Sequence, residues 1–207
     1  MKLTYKEIGY LSRINNVYQY PYVTQVSMFL DDEDKTNIRK SLTEKEILSE
    51  GDLTDLGLRL LHILEKTSDS KEYVKWNHMW IFFYRGSYVL IRALSKEELQ
   101  LEQIGKEELM VTLLYFLNQT GKIEEKKRRV RHRTNEQMLQ FMHEHPDIQG
   151  IFYEKVSGKK SKTGVIQVYD GYMQHFQAGK EKLDCIPRSK VYASIERIVM
   201  GGAESVN

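Results

Sequence analysis

The chain contains one cysteine and three prolines, and its longest apolar run is the six residues Met79–Tyr84. Each scarcity excludes something. Cys185 has no second cysteine to pair with and no CxxC or Cys/His spacing around it, which removes disulfide scaffolds and zinc modules and leads us to expect a reducing compartment. A membrane-spanning helix needs about 18 successive apolar residues, and the chain has no such run. The opening stretch MKLTYKEIGYLSRINN is interrupted by Lys6, Glu7 and Arg13, so it has no apolar signal core. The expectation is a cytoplasmic protein without stable membrane insertion.

Signatures of common chemistry are missing as well. Neither GxxxxGK(S/T) nor GxGxxG occurs, so no nucleotide-cradling loop is read, and no GxSxG elbow is present to anchor a nucleophile. His143 and His145 stand two apart and point to different faces of a helix, unlike ligands spaced one turn apart. The acidic pairs Glu97-Glu98, Glu107-Glu108 and Glu124-Glu125 read as solvated faces. The expectation is a protein that is not an enzyme, with no catalytic, cofactor or metal residue assigned.

What is present is a 207-residue chain, 41% hydrophobic and 29% charged, which is enough apolar material for an ordinary core. Its formal charge of +2 conceals an asymmetry: residues 122–133 (KIEEKKRRVRHR) carry seven basic and two acidic side chains. Thr4 followed by Glu7 has capping-box spacing, and Ile8, Leu11 and Ile14 then share a helical face. The β-branched and aromatic stretch Tyr22–Leu30 predicts a strand ending at the acidic cluster 31–34, and helices follow over about 35–48 and Leu53–Lys66. Residues 72–94 predict three strands with Arg85-Gly86 as a two-residue turn, then a helix over 105–118. Beyond the basic run, the spacing predicts a helix from Thr134 to 145 and a strand over Ile151–Val156. It also predicts a flexible basic loop at 158–164 (GKKSKTG), a hairpin turning at Asp170-Gly171, and a last helix beginning near Pro187.

The order helix, strand, hairpin, helix thus occurs twice. Leu60, Leu61, Ile63 and Leu64 align with Met138, Leu139, Phe141 and Met142 at an offset of 78, and Tyr84-Arg85-Gly86 with Tyr169-Asp170-Gly171 at 85. The expected fold class is α+β, a pseudo-two-fold repeated unit with a central antiparallel sheet flanked by helices. The expected organisation is an N-terminal half 1–121, a basic linker or helix extension 122–133, and a C-terminal half 134–207, together forming one domain.

Two sets of residues are candidates for binding. Trp76, Trp80 and Phe82 alternate at period two, and with Tyr169 and Tyr172 they could form an aromatic surface for a protein partner; burial in the core is the rival reading. Lys126, Lys127, Arg128, Arg129, Arg131 and Arg133 could bind anions, including nucleic-acid phosphates. A solvated linker is the preferred reading of that run, because no base-reading helix or RNA-binding aromatic signature accompanies it. A homo-oligomer stays open.

Several short patterns occur in a familiar order: Leu3-Thr4 with Glu7, Ser41-Leu42-Thr43-Glu44-Lys45-Glu46-Ile47-Leu48 leading into Gly51-Asp52-Leu53, the leucine-rich helix, and Ile81-Phe82-Phe83-Tyr84-Arg85-Gly86-Ser87-Tyr88-Val89-Leu90 before an amphipathic helix. Over residues 1–120 this order resembles the EspG family, cytosolic chaperones of type VII (ESX) secretion, and closer still the EspG-like proteins of Gram-positive type VII loci. The resemblance implies a pseudo-symmetric α+β fold and a non-enzymatic task, the capping of a helical secretion substrate before export. It transfers no individual binding residue. The alternative is a nucleic-acid-associated regulator acting through residues 122–133.

Overall fold

A capping box opens the first helix of the computed structural model, which describes residues 1–16, 20–22, 30–68 and 70–201. Strand β1 (Lys2–Thr4) leads into α1 (Tyr5–Asn15), where Thr4 Oγ1 accepts from the Glu7 amide at 3.1 Å and Glu7 Oε2 accepts from the Thr4 amide at 2.7 Å. Helix α2 (Asp32–Glu44) begins earlier than expected, because the acidic cluster forms its cap and first turn. Asp31 accepts from the Asp34 amide, and Asp32, Glu33 and Asp34 lie at the positive end of the helix dipole. Of the strand predicted at Tyr22–Leu30, residues 23–29 lie outside the described residues. Two short strands, β2 (Leu48–Ser49) and β3 (Asp52–Leu53), pair ahead of α3 (Asp55–Ser68).

Four strands follow, β4 (Glu72–Trp76), β5 (Met79–Tyr84), β6 (Ser87–Ala93) and β7 (Glu98–Ile104), and then α4 (Lys106–Gln119). Arg85 and Gly86 both have positive φ, as a two-residue turn between right-twisted strands requires. The remaining elements are β8 (Arg129–His132), α5 (Asn135–Glu144), β9 (Ile151–Ser157), β10 (Lys160–Tyr169), β11 (Tyr172–Gln177), β12 (Lys182–Ile186), a 3-10 turn over Arg188–Lys190, and α6 (Val191–Val199). A large antiparallel sheet with helices makes the chain α+β, as its sequence pattern implies. The succession helix, four strands, helix occurs twice, as α3-β4-β5-β6-β7-α4 and α5-β9-β10-β11-β12-α6. That is an order along the chain and does not by itself establish a pseudo-two-fold repeat.

Two segments differ from expectation. Residues 158–164 are not a flexible loop: only Gly158 and Lys159 turn, and Lys160–Gly164 pair with β9 from Ser157 back to Tyr153. The basic run is no helix extension: residues 122–128 are irregular, as in a linker, but they are tied down. Its end is β8, paired with β12, and the stretch before β8 is held by backbone bonds from Glu124 N to Gly171 O (2.8 Å) and from Arg188 N to Glu124 O (3.0 Å).

The chain divides into two compact units, in place of the expected halves 1–121 and 134–207. One is Met1–Ser70 with Val89–Gln103; the other is Lys71–Tyr88 with Ile104–Asn207. In the first, α1 packs on α2 and α3, and β1 pairs with β7 so that Leu3 lies opposite Leu99. Its core includes Leu3, Ile8, Leu11, Leu42 and Leu64. The second unit contains the strand order β5-β4-β9-β10-β11-β12-β8, with every neighbour antiparallel. Met138 of α5 packs with Tyr172, Phe176, Leu183 and Cys185 on one face of these strands.

Candidate functional site

The aromatic candidates do not form one exposed surface. Trp76, Phe82 and Tyr172 are buried, and Trp80 and Tyr169 are half-buried. The period-two reading also fails across the β4–β5 turn. Trp76 lies opposite Met79, whereas Trp80 lies opposite Lys75 and Phe82 opposite Tyr73. Cross-strand partners share a face, so Trp76 sits on the face away from Trp80 and Phe82, beside Tyr153. Tyr169 instead joins Phe141 and His145 in an aromatic cluster, with His145 stacked on Phe141 at 4.4 Å.

The basic run is divided between the two faces as well. Arg129 and Arg131 lie opposite Cys185 and Leu183 on the α5 face, Arg129 lies over the Tyr172 ring, and Arg133 lies over Phe141. Lys126 donates to Asp170 O at 2.8 Å and also sits over Tyr172, and Lys127 is exposed. Arg128 alone turns to the other face, where its guanidinium forms a two-pronged ion pair with Asp184, the Nε–Oδ1 arm being 2.9 Å. The six cations therefore do not form a continuous strip. The arginines of β8 have a structural use, since charge on an edge strand discourages pairing with another chain.

The face that receives Arg128 holds a cavity of about 480 Å³. Register explains its lining. Tyr153 of β9 lies opposite Gly164 of β10, Gly164 opposite Gln177 of β11, and Gln177 opposite Lys182 of β12, forming a row on one face. One step along the same face His175 lies opposite Asp184, and on the other side Lys155 lies opposite Lys162. Lys180, from the β11–β12 turn, and Arg197, Ile198 and Gly201, from α6 and just beyond it, complete the wall. Gly164 is needed for this packing: a Cβ there would lie 2.4 Å from Phe176 O and 2.6 Å from the Tyr153 ring.

The floor is neutral and the walls are cationic. Tyr153 Oη and His175 Nε2 are 2.7 Å apart. Burial pushes the Tyr153 phenol up to about 12 and the His175 imidazole down to about 4, and Arg197, Lys180 and Lys182 push His175 the same way against the opposing pull of Asp184. Both groups are uncharged at neutral pH. Burial works to raise the Asp184 carboxyl, but hydrogen bonding to Arg128 and its charge outweigh burial and hold it below its ordinary value. Burial, then repulsion from Lys162, lowers the Lys155 ammonium, which donates to the Val199 and Gly201 carbonyls at the end of α6.

Lys162, Lys180, Lys182 and Arg197 form no ion pair among the described residues. With Arg128 and Lys155, six cations and one carboxylate line the cavity among the described residues, on a chain whose total is +2. Of these six, only Arg128 belongs to the run that the sequence singled out. The others come from β9, β10, the β11–β12 turn, β12 and α6, and only their strand alternation could have suggested that they share a face. Among the described residues, no group of three or more His, Cys, Asp or Glu could hold a metal ion, and no helix is long and apolar enough to cross a membrane.

Fold and site together define an α+β protein whose second unit carries a cation-lined cavity. The chain belongs to the family described as a domain of unknown function, DUF5081, whose model matches residues 3–182. No curated protein sequence matches it.

Proposed function

We propose that this protein is a non-enzymatic cytoplasmic adaptor or chaperone that holds a helical partner of the kind exported by type VII secretion systems. The observation that carries the reading is on α4. Leu109, Met110, Leu113 and Leu117 are buried, while Val111 and Tyr115, one turn apart, are 67% and 61% exposed. An apolar pair at i, i+4 on an open helix face is what a partner helix covers through its own repeating apolar positions. The likeness of residues 1–120 to the EspG pattern supplies the partner class, a small helical secretion substrate.

The test is co-expression with small helical proteins encoded beside this chain, followed by affinity capture. The reading expects a stable complex, and a V111E/Y115E variant, with unchanged circular dichroism and melting temperature, should lose it. Capture by the double variant at the wild-type level removes α4 from the interface. Failure of every neighbouring helical protein to bind removes the reading itself.

A further inference from the structure

We propose that the cavity in the second unit binds a small molecule carrying several phosphate groups. The site is independent of the α4 stripe. Its volume of about 480 Å³ lies within the roughly 300–1,000 Å³ range of small-ligand pockets. Its charges converge without local need. Lys162 comes from β10, Lys180 from the β11–β12 turn, Lys182 from β12 and Arg197 from α6, so four elements deliver four cations to one concavity.

The neighbouring charges are already committed. Asp184, the one acid among the described lining residues, is held by Arg128, and Lys155 caps the carbonyl end of α6. Like charges brought together repel, and a ligand that neutralises several of them at once gains the most. A single carboxylate would offset one of the four, whereas a phosphate chain brings several negative charges and acceptor oxygens in about the space available. Lysines suit this chemistry as mobile point-charge donors, and Arg197 adds a forked one. At the floor, Gln177 and the neutral Tyr153–His175 pair offer hydrogen bonds without adding charge.

The experiment is calorimetric titration of the full chain with sodium tripolyphosphate at about 0.15 M salt, where exposed long-range attraction is largely screened. Saturable one-to-one binding is expected. A K162Q/K182Q/R197Q variant should bind at least about tenfold more weakly, and R129Q/R131Q/R133Q, on the α5 face, within about twofold of wild type. Circular dichroism checks that both variants are folded. ATP assigns the source: affinity equal to tripolyphosphate means that the phosphate chain alone is read, and tighter ATP binding means that a nucleotide is held. Either supports the site.

Three results overturn it: no saturable binding of tripolyphosphate, equal weakening by the two variants, or citrate binding as tightly as tripolyphosphate. An RNA homopolymer that binds and that tripolyphosphate cannot displace also overturns it, in favour of a nucleic-acid surface.

Discussion

Glu7 in the first unit and the lysines around the cavity in the second are treated in opposite ways. Glu7 is buried, and its carboxylate is saturated: it accepts from the Thr4 amide, from Ser41 Oγ at 2.7 Å, and from Lys45 Nζ at 2.6 and 2.7 Å. Burial works to raise its pKa, and these donors together hold it below the ordinary value. It ties the start of α1 to the end of α2. Lys162, Lys180, Lys182 and Arg197 converge without forming an ion pair among the described residues. A charge whose partners are all internal is spent on the fold, and charges that converge without partners are available to something outside it.

Removing the saturated charge has the largest expected effect. Glu7→Ala leaves Lys45 facing a buried void and should cost about 4 kcal/mol, read as a lower urea midpoint. Gly164→Ala should cost about 3 kcal/mol, because the new methyl meets backbone at Phe176 as well as the Tyr153 ring, and neither can give way cheaply. It should also reduce tripolyphosphate affinity by displacing the cavity floor.

A pH series separates the two regions further. The native pKa of His175 is about 4 against an ordinary 6.5. Above pH 6.5 both folded and unfolded states are neutral there. As pH falls from 6.5 towards 4 only the unfolded state takes up the proton, so stability declines through that window and levels off below it. The window sets a ceiling of about 3 kcal/mol, and partial exposure of the ring reduces this to about 2 kcal/mol. His175→Gln should flatten that part of the curve. The stability held by Glu7 and Asp184, whose native values are depressed, is lost lower, as pH falls through those values, and this limb should persist in the variant.

The smallest effect on stability belongs to the cavity cations: K162Q/K182Q/R197Q should change it by less than about 0.5 kcal/mol in the absence of ligand.

Local signals carried much of the fold. Thr4 with Glu7 and Thr134 with Gln137 both form capping boxes, the second at the position where Thr134 was expected to start a helix. The turns at Arg85-Gly86 and Asp170-Gly171 stand where a glycine between two strand patterns predicts them, and in both the residue before the glycine takes positive φ as well. The strands β7, β8 and β12 went unread for a physical reason. In ELQLEQI the positions flanking and between the buried Leu99 and Leu101 are Glu and Gln, and in KLDCI Lys182 and the buried Asp184 alternate with Leu183 and Cys185; Glu, Gln, Lys and Asp are poor strand formers, so the apolar signal is short. Arg129–His132 is exposed along its whole length and has no apolar alternation at all.

Register was the other hidden quantity. The two-residue turn at Asn77-His78 sets Trp76 opposite Met79 and so reverses its face relative to Trp80. The cavity was the least legible feature, because its cations are scattered from 128 to 197 and are gathered only by the pairing of β9 through β12.

The central claim is that these cations surround a neutral His175 and await an anion. The most direct measurement is the ionisation of His175 followed by NMR from pH 7.5 to 3.5, without and with saturating tripolyphosphate. The expected midpoint is about 4 in the free protein, moving upward once the ligand neutralises Lys180, Lys182 and Arg197. A midpoint near 6.5 that tripolyphosphate leaves unmoved would contradict the account.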